Sequence, residues 1–183
     1  KAVEGKTLGK NEIWDSYYLD LTDKSTREAL LAVVDTIHQK GFNGLFLDTV
    51  DVFGPWGNSP DQADALASLL AEFKAKYPDL HLMQNSGIEL LPKTQDYVSS
   101  LALESILTDY NFDEMKYAYR NRDGASERAS SMNKVLKTYG MDVVAIEYAD
   151  TKKMYKRVLS QLKTTSWEYF IGQIELDAIP KFK

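Results

Sequence analysis

Carboxylates and amides recur where short apolar runs of this sequence turn polar. Asp20 closes WDSYYLDL, and Asp48 and Asp51 follow GLFL. Gln84 and Asn85 close LHLMQN, and Glu104 sits in SLALESIL ahead of Asp109 and Tyr110. Glu147, Tyr148 and Asp150 close VVAIEYAD, and Glu168 and Gln173 lie in the last such run. An acid inside an apolar run is costly unless it is paired or hydrogen-bonded. Asp48 and Glu104 are the two set most clearly in apolar surroundings. Each could cap a helix or pair with Lys or Arg, but an acid at the end of most runs favours a site. A carboxylate pair can hydrolyse glycosides, one acid protonating the leaving oxygen while the other attacks the anomeric carbon or activates water. A carboxylate cluster can also hold a hard cation such as Mg²⁺.

Other chemistries are poorly served. The sequence has no cysteine, hence no disulfide, thiolate metal site or cysteine nucleophile. His38 falls on a predicted helix and His81 at the amino end of a predicted strand, so no histidine is positioned for a serine triad. Neither has metal-ligand spacing with the other, and no glycine-rich phosphate or dinucleotide fingerprint follows a strand. The reading therefore carries no metal site and no cofactor. Trp56, Tyr110, Tyr117, Tyr119, Tyr148 and Trp167 lie at or near strand ends, where aromatic faces could stack on sugar rings or serve ordinary packing.

The elements that would position these residues alternate. The predicted strands are Trp14 to Leu21, Gly44 to Val50, Leu80 to Gln84, Ser100 to Leu107, Val143 to Tyr148 and Trp167 to Ile174. The predicted helices are Ser25 to Lys40, Asp61 to Lys76, a short one around Leu90 to Val98, Ala125 to Tyr139, and Thr151 to Lys163. Leu30, Val33, Val34 and Ile37 keep helical spacing in the first, with Gly41 as its stop. Phe53 to Pro60 and Thr108 to Asp123 read as loops. Six strands with five intervening helices give an α/β fold with a parallel sheet, either an open doubly wound sheet or part of a barrel. In both, ligands meet the carboxyl ends of the strands.

Of 183 residues, 22 are Lys or Arg and 27 are Asp or Glu, a net charge of −5. That balance argues against nucleic-acid binding, which favours basic stripes, and suits a neutral or cationic ligand. The length fits one domain spanning 1–183. No apolar run approaches the roughly 18 residues of a membrane span. The chain opens on Lys1 rather than Met, so it reads as processed or cut from something longer.

GFNGLFLDTVD (Gly41 to Asp51) resembles the signature strand of glycoside hydrolase family 114 and of the related Pel-type hydrolase domains, endo-α-1,4-galactosaminidase TIM barrels. SYYLDLTD, LMQNSGIELL, ALESIL and AIEYAD match further pieces in the same order. The resemblance implies a (β/α)8 barrel and retaining endo-hydrolysis of a partly deacetylated galactosamine exopolysaccharide, as in biofilms, outside the cytoplasm. It implies Asp48 and Glu104 as the catalytic pair, read as nucleophile and acid/base. It also implies Asp20, Asp51, Asn85, Tyr110, Glu147, Tyr148 and Asp150 as lining the substrate groove. Measured against eight strands, the six here correspond to the third to the eighth, so the first two βα units are expected to be missing. A partner chain or a missing segment would then complete the barrel. Two other readings stay open: a non-catalytic polysaccharide-binding or exopolysaccharide-assembly module derived from such a hydrolase, and a Mg²⁺-dependent barrel enzyme.

Overall fold

The computed structural model describes residues 6–182, and Lys1 lies outside them. The fold is α/β, with one five-stranded parallel sheet in the order β3-β4-β5-β8-β9. Two small hairpins, Thr7–Asn11 with Ser16–Leu19 and Thr108–Asn111 with Lys116–Tyr119, form two-stranded sheets of their own. The chain forms two compact units. One runs to Met83 and takes in Glu89–Val98, and the other comprises Gln84–Ile88 with Ser99 onward.

The first unit opens with β1 (Thr7–Asn11) and β2 (Ser16–Leu19), paired antiparallel with a bulge at Gly9. Here the sequence reading is corrected. Trp14 to Leu21 is not a strand of the main sheet, which therefore has five strands and not six. The chain turns at Glu12 to Asp15, and the polar, glycine-containing TLGKN supplies the hairpin partner. Helix α1 (Lys24–Gln39) follows, with Asp23 accepting from the Thr26 amide at 2.9 Å. Strand β3 (Gly44–Leu47) leads through a short 3-10 turn to α2 (Ala63–Lys76). Leu66, Leu69, Leu70 and Phe73 bury one stripe of α2, and Leu90 and Leu91 at the head of α3 (Leu91–Thr94) are buried too. Arg27 ties α1 to α2, donating to the Ala65 carbonyl at 2.9 Å and pairing with Glu72. His38 stacks on Tyr77 at 4.1 Å, a packing role. Strand β4 (His81–Asn85) starts as the His81 amide donates to the Asn43 carbonyl at 2.9 Å.

The second unit is built on parallel pairs. β5 (Ser100–Glu104) aligns with β8 (Asp142–Tyr148), setting Glu104 opposite Ile146. β8 aligns with β9 (Glu168–Gly172), setting Tyr148 opposite Gly172. Helices α4 (Arg122–Tyr139) and α5 (Lys152–Leu162) are the crossovers, capped by Asn121 and Thr151. Leu101, Ile106, Met132, Val135, Val143, Val158 and Leu162 are among its largest fully buried apolar residues. The stretch read as a loop from Thr108 to Asp123 is instead a hairpin of β6 (Thr108–Asn111) and β7 (Lys116–Tyr119) before α4 begins. Tyr110 and Tyr117 pair across it with ring centroids 4.9 Å apart, edge to face, the kind of cross-strand pair that holds a short hairpin. Among the described residues no helix is long and apolar enough to cross a membrane.

Asp20 anchors the first hairpin. It pairs with Lys6 at 2.9 Å and accepts from the Thr22 hydroxyl at 2.6 Å, and its side chain is almost fully buried. The Thr22 hydroxyl first, and Lys6 next, hold its carboxyl down at about 2. A depressed carboxyl stabilises the fold above the unfolded value of about 3.9 and loses that contribution as pH falls through the folded value. Asp20→Asn is therefore expected to be less stable than the parent above about pH 4 and to converge with it toward pH 2. Urea unfolding across pH 2 to 6 checks this, and a gap independent of pH would refute it.

Candidate functional site

Parallel strands present their carboxyl ends together, and here those ends carry the polar residues. Within the second unit Glu104 closes β5 and is half-buried. Asn85, the last residue of β4, donates its amide to Glu104 Oε1 at 2.7 Å. Tyr148, the last residue of β8, donates its hydroxyl to Glu104 Oε2. Arg128 of α4 donates to the Glu104 carbonyl at 2.8 Å. The side chain is thus fixed at both oxygens and its backbone is fixed from behind.

The residues beside these ligands point the other way, as alternation along a strand requires. Gln84, next to Asn85, is fully buried and donates to the Ser86 and Gly87 carbonyls at 2.9 and 2.8 Å. Glu147, next to Tyr148, is fully buried too. Its Oε1 accepts from the amides of Ile106 and Leu107 at 3.0 and 2.8 Å. Its Oε2 accepts from the Thr108 amide at 2.9 Å and the Thr108 hydroxyl at 2.7 Å. Burial pushes its carboxyl above the ordinary range, and these donors pull it back. The Thr108 hydroxyl accepts in turn from the Tyr148 amide at 3.0 Å. Arg120 donates to the Ser105 carbonyl at 2.8 Å and lies 3.3 Å from Asp109. Burial and neighbouring Arg120 pull the Arg128 guanidinium down from its usual value, while Glu147 works against that.

Asp150 is exposed just after β8. Tyr110 is half-buried, with its ring edge-to-face with Tyr117, and the Tyr117 hydroxyl accepts from the Ile174 amide at 3.1 Å. In the first unit Asp48 directly follows β3, is exposed, and accepts from the Thr49 amide at 2.8 Å. Asp51 is exposed in the 3-10 turn that follows. Among the described residues no three His, Asp or Glu side chains are grouped to hold a metal.

Two of the residues expected to line a groove have enclosed side chains. Glu147 is enclosed and both its oxygens serve the segment after Glu104. Asp20 is enclosed and spent on Lys6 and Thr22. Asn85 and Tyr148 do join Glu104, and their polar tips act on it directly. Sequence reasoning missed Arg120, Arg128 and Thr108, all of which secure the backbone around Glu104. The arginines stand in polar stretches without apolar periodicity, so nothing in the sequence singles them out.

The family model for glycoside-hydrolase family GH114 matches residues 2–180. The glycoside hydrolase domain of PelA from Pseudomonas aeruginosa is 30% identical, with a TM-score of 0.82, covering 96% of this chain and 70% of that one. A variant of that domain matches at 29% identity and a TM-score of 0.80 over the same shares. Ega3 of Aspergillus fumigatus, solved in complex with galactosamine, shares the fold at 16% identity and a TM-score of 0.69, covering 97% of this chain and 69% of that one. No curated protein sequence matches significantly.

Replacing Glu147 with Gln puts an amide NH₂ where one oxygen accepts from backbone or hydroxyl donors, leaving at least one buried donor unsatisfied. The expected loss is about 1–3 kcal/mol of stability, with a larger rise in amide exchange at Ile106 to Thr108 than in β5. Denaturant unfolding with hydrogen exchange checks this. Unchanged protection at those amides would refute the clasp.

Proposed function

Because the chain belongs to glycoside-hydrolase family GH114, we propose that it cleaves internal α-1,4 bonds of a partly deacetylated, galactosamine-containing exopolysaccharide with retention. Asp48 is the nucleophile and Glu104 the acid/base. The observation that carries this reading is the setting of Glu104: one oxygen held by an amide and the other by a phenol, at the carboxyl end of β5.

That pairing suits a group that must change protonation state during turnover. In the first step protonated Glu104 gives its proton to the glycosidic oxygen while the Asp48 carboxylate attacks the anomeric carbon. The leaving sugar departs as an alcohol and a glycosyl–Asp48 ester forms. In the second step the Glu104 carboxylate takes a proton from water, and that water oxygen attacks the anomeric carbon. The ester bond breaks and both carboxyl groups return to their starting states. A tyrosine hydroxyl can donate to the carboxylate and accept from the acid, so Tyr148 can stay bound to Glu104 throughout. The Asn85 amide donates only and keeps the other oxygen in place in both states.

The proposed substrate fits the charge. An amino-sugar polymer is cationic, the chain is net −5, and Asp51 and Asp150 are exposed beside strand ends. The galactosamine bound to Ega3 supports the same sugar class. Such a polymer lies outside the cytoplasm, and so on this reading does the enzyme.

Glu104→Gln is expected to lower kcat/KM on an α-1,4-galactosamine polymer by about 10²–10⁴, and Asp48→Asn at least as much. Reducing-end assays with NMR of the first-formed anomer check both the residues and retention. Equal oligosaccharide release by the variants would remove these two residues from the reaction. Tyr148→Phe removes one hydrogen bond to a group that is charged in half of the cycle. It should lower kcat about tenfold with KM nearly unchanged, and a change in KM alone would make Tyr148 a substrate ligand instead.

A further inference from the structure

The loop after β3 carries a tryptophan that packing does not explain. Trp56 is 90% exposed. Leaving such a side chain in water forgoes about 1.5–3 kcal/mol of burial. Its backbone, by contrast, is tightly held. Gly54, Pro55, Trp56 and Gly57 form a turn closed by the Gly57 amide on the Gly54 carbonyl at 3.0 Å. The Gly54 amide donates to the Asp51 carbonyl at 2.9 Å, and the Ser59 amide to the Val52 carbonyl at 2.9 Å. A Cβ on Gly57 would lie 2.2 Å from the Val52 carbonyl oxygen, so only glycine allows the turn to seat on the buried Val52 and Phe53. A rigid support thus holds an aromatic face in solvent.

The same chain runs directly into Asn58 and Ser59, which with Asp61 and Gln62 line one side of an open groove of about 500 Å³. Lys10 and Tyr18 of the first hairpin line it as well. The wall offers amides, a hydroxyl and a carboxylate, the groups that meet sugar hydroxyls and an ammonium. The Lys10 ammonium is already neutralised, at 3.0 Å from Glu12 and 2.8 Å from Asp15, so it does not repel a cation. Asp48 and Asp51 stand at the start of this loop.

We propose that the Trp56 turn and the groove beside it bind further sugar units of an amino-sugar polymer, with a ring face on Trp56 and an ammonium toward Asp61. This site rests on the substrate class proposed above and adds to it a chain-length preference set outside the cleavage point.

The test measures binding without turnover. Galactosamine oligosaccharides of increasing length are titrated into the Glu104→Gln protein by calorimetry, with Trp56→Ala, Trp56→Tyr and Asp61→Asn added in turn. Affinity should rise with length and fall about tenfold with Trp56→Ala. Trp56→Tyr should recover most of the loss, because it restores an aromatic face. Asp61→Asn should weaken galactosamine chains and leave N-acetylgalactosamine chains unchanged. Equal affinity of Trp56→Ala and its parent, or affinity independent of chain length, overturns the site. A wild-type protein that shows Trp56-dependent binding but no hydrolysis overturns the proposed activity and leaves the site standing.

Discussion

The buried carboxylate of Glu147 is the interaction on which the rest of the site depends. A β-strand that ends in a functional residue must release its chain into a loop, and the loop's first amides lose their sheet partners. Water could satisfy them, but then the strand end would be mobile. Glu147 instead gathers the amides of Ile106, Leu107 and Thr108 on one acceptor group. Arg120 and Arg128 take the carbonyls of Ser105 and Glu104 on the opposite side of the account. Five backbone groups around the turn are thereby tied to side chains. Hydrogen bonds to an ionised acceptor are stronger than neutral ones, so a carboxylate does this better than a carbonyl would.

The strand ends share a second device. Thr49 follows Asp48, Ser86 follows Asn85 and Ser105 follows Glu104, and these three residues have φ of +59°, +61° and +55°. Residues other than glycine rarely occupy the left-handed region, and each pays roughly 1 kcal/mol to do so. The cost recurs immediately after the polar residue that follows β3 and those that close β4 and β5. Such a residue reverses the chain at once, so the side chain before it stands at the strand's tip instead of continuing along the sheet. Backbone strain concentrated at sites of chemistry is a known pattern, and here the surrounding hydrogen bonds hold it in place. The Ser86 amide on the Ala102 carbonyl and the Ser105 amide on the Ile146 carbonyl are two of them.

Most of the fold was legible because its signals are local and periodic. GLFL, SLALE and DVVAIEY are apolar enough to be covered strands, and the stripe of α2 has helical spacing. The two hairpins were not legible for opposite reasons. TLGKN is too polar to read as a strand, while WDSYYLDL looked like one of the main sheet. In Thr108–Asn111 and Lys116–Tyr119 the strands are four residues each, too short for alternation to declare itself. At the candidate site, residue type and position singled out Glu104, Asn85 and Tyr148, which hydrogen bonds join. Nothing in the sequence could show that Ser105 adopts a left-handed backbone, or that two arginines twelve or more residues downstream cap the turn.

The acids at the strand ends look alike in the sequence, and burial is what separates them. A carboxylate with no solvent access must have its acceptor sites filled by the protein, and once they are filled none is left for a substrate. Glu147 and Asp20 meet that description, the first with backbone amides and a hydroxyl, the second with a lysine and a threonine. Asp51 and Asp150 are open to solvent and so keep acceptor sites for a ligand. Glu104 falls between, half-buried with one fixed donor on each oxygen, which leaves further lone pairs while removing the freedom to swing away. Orientation without saturation is what the proposed proton transfer requires, since a general acid must meet the glycosidic oxygen at hydrogen-bond distance and still exchange its proton with water. Acids that close strands are therefore not one functional unit. The enclosed ones build the platform, and the partly enclosed Glu104 is the one oriented for the proton transfer proposed for it.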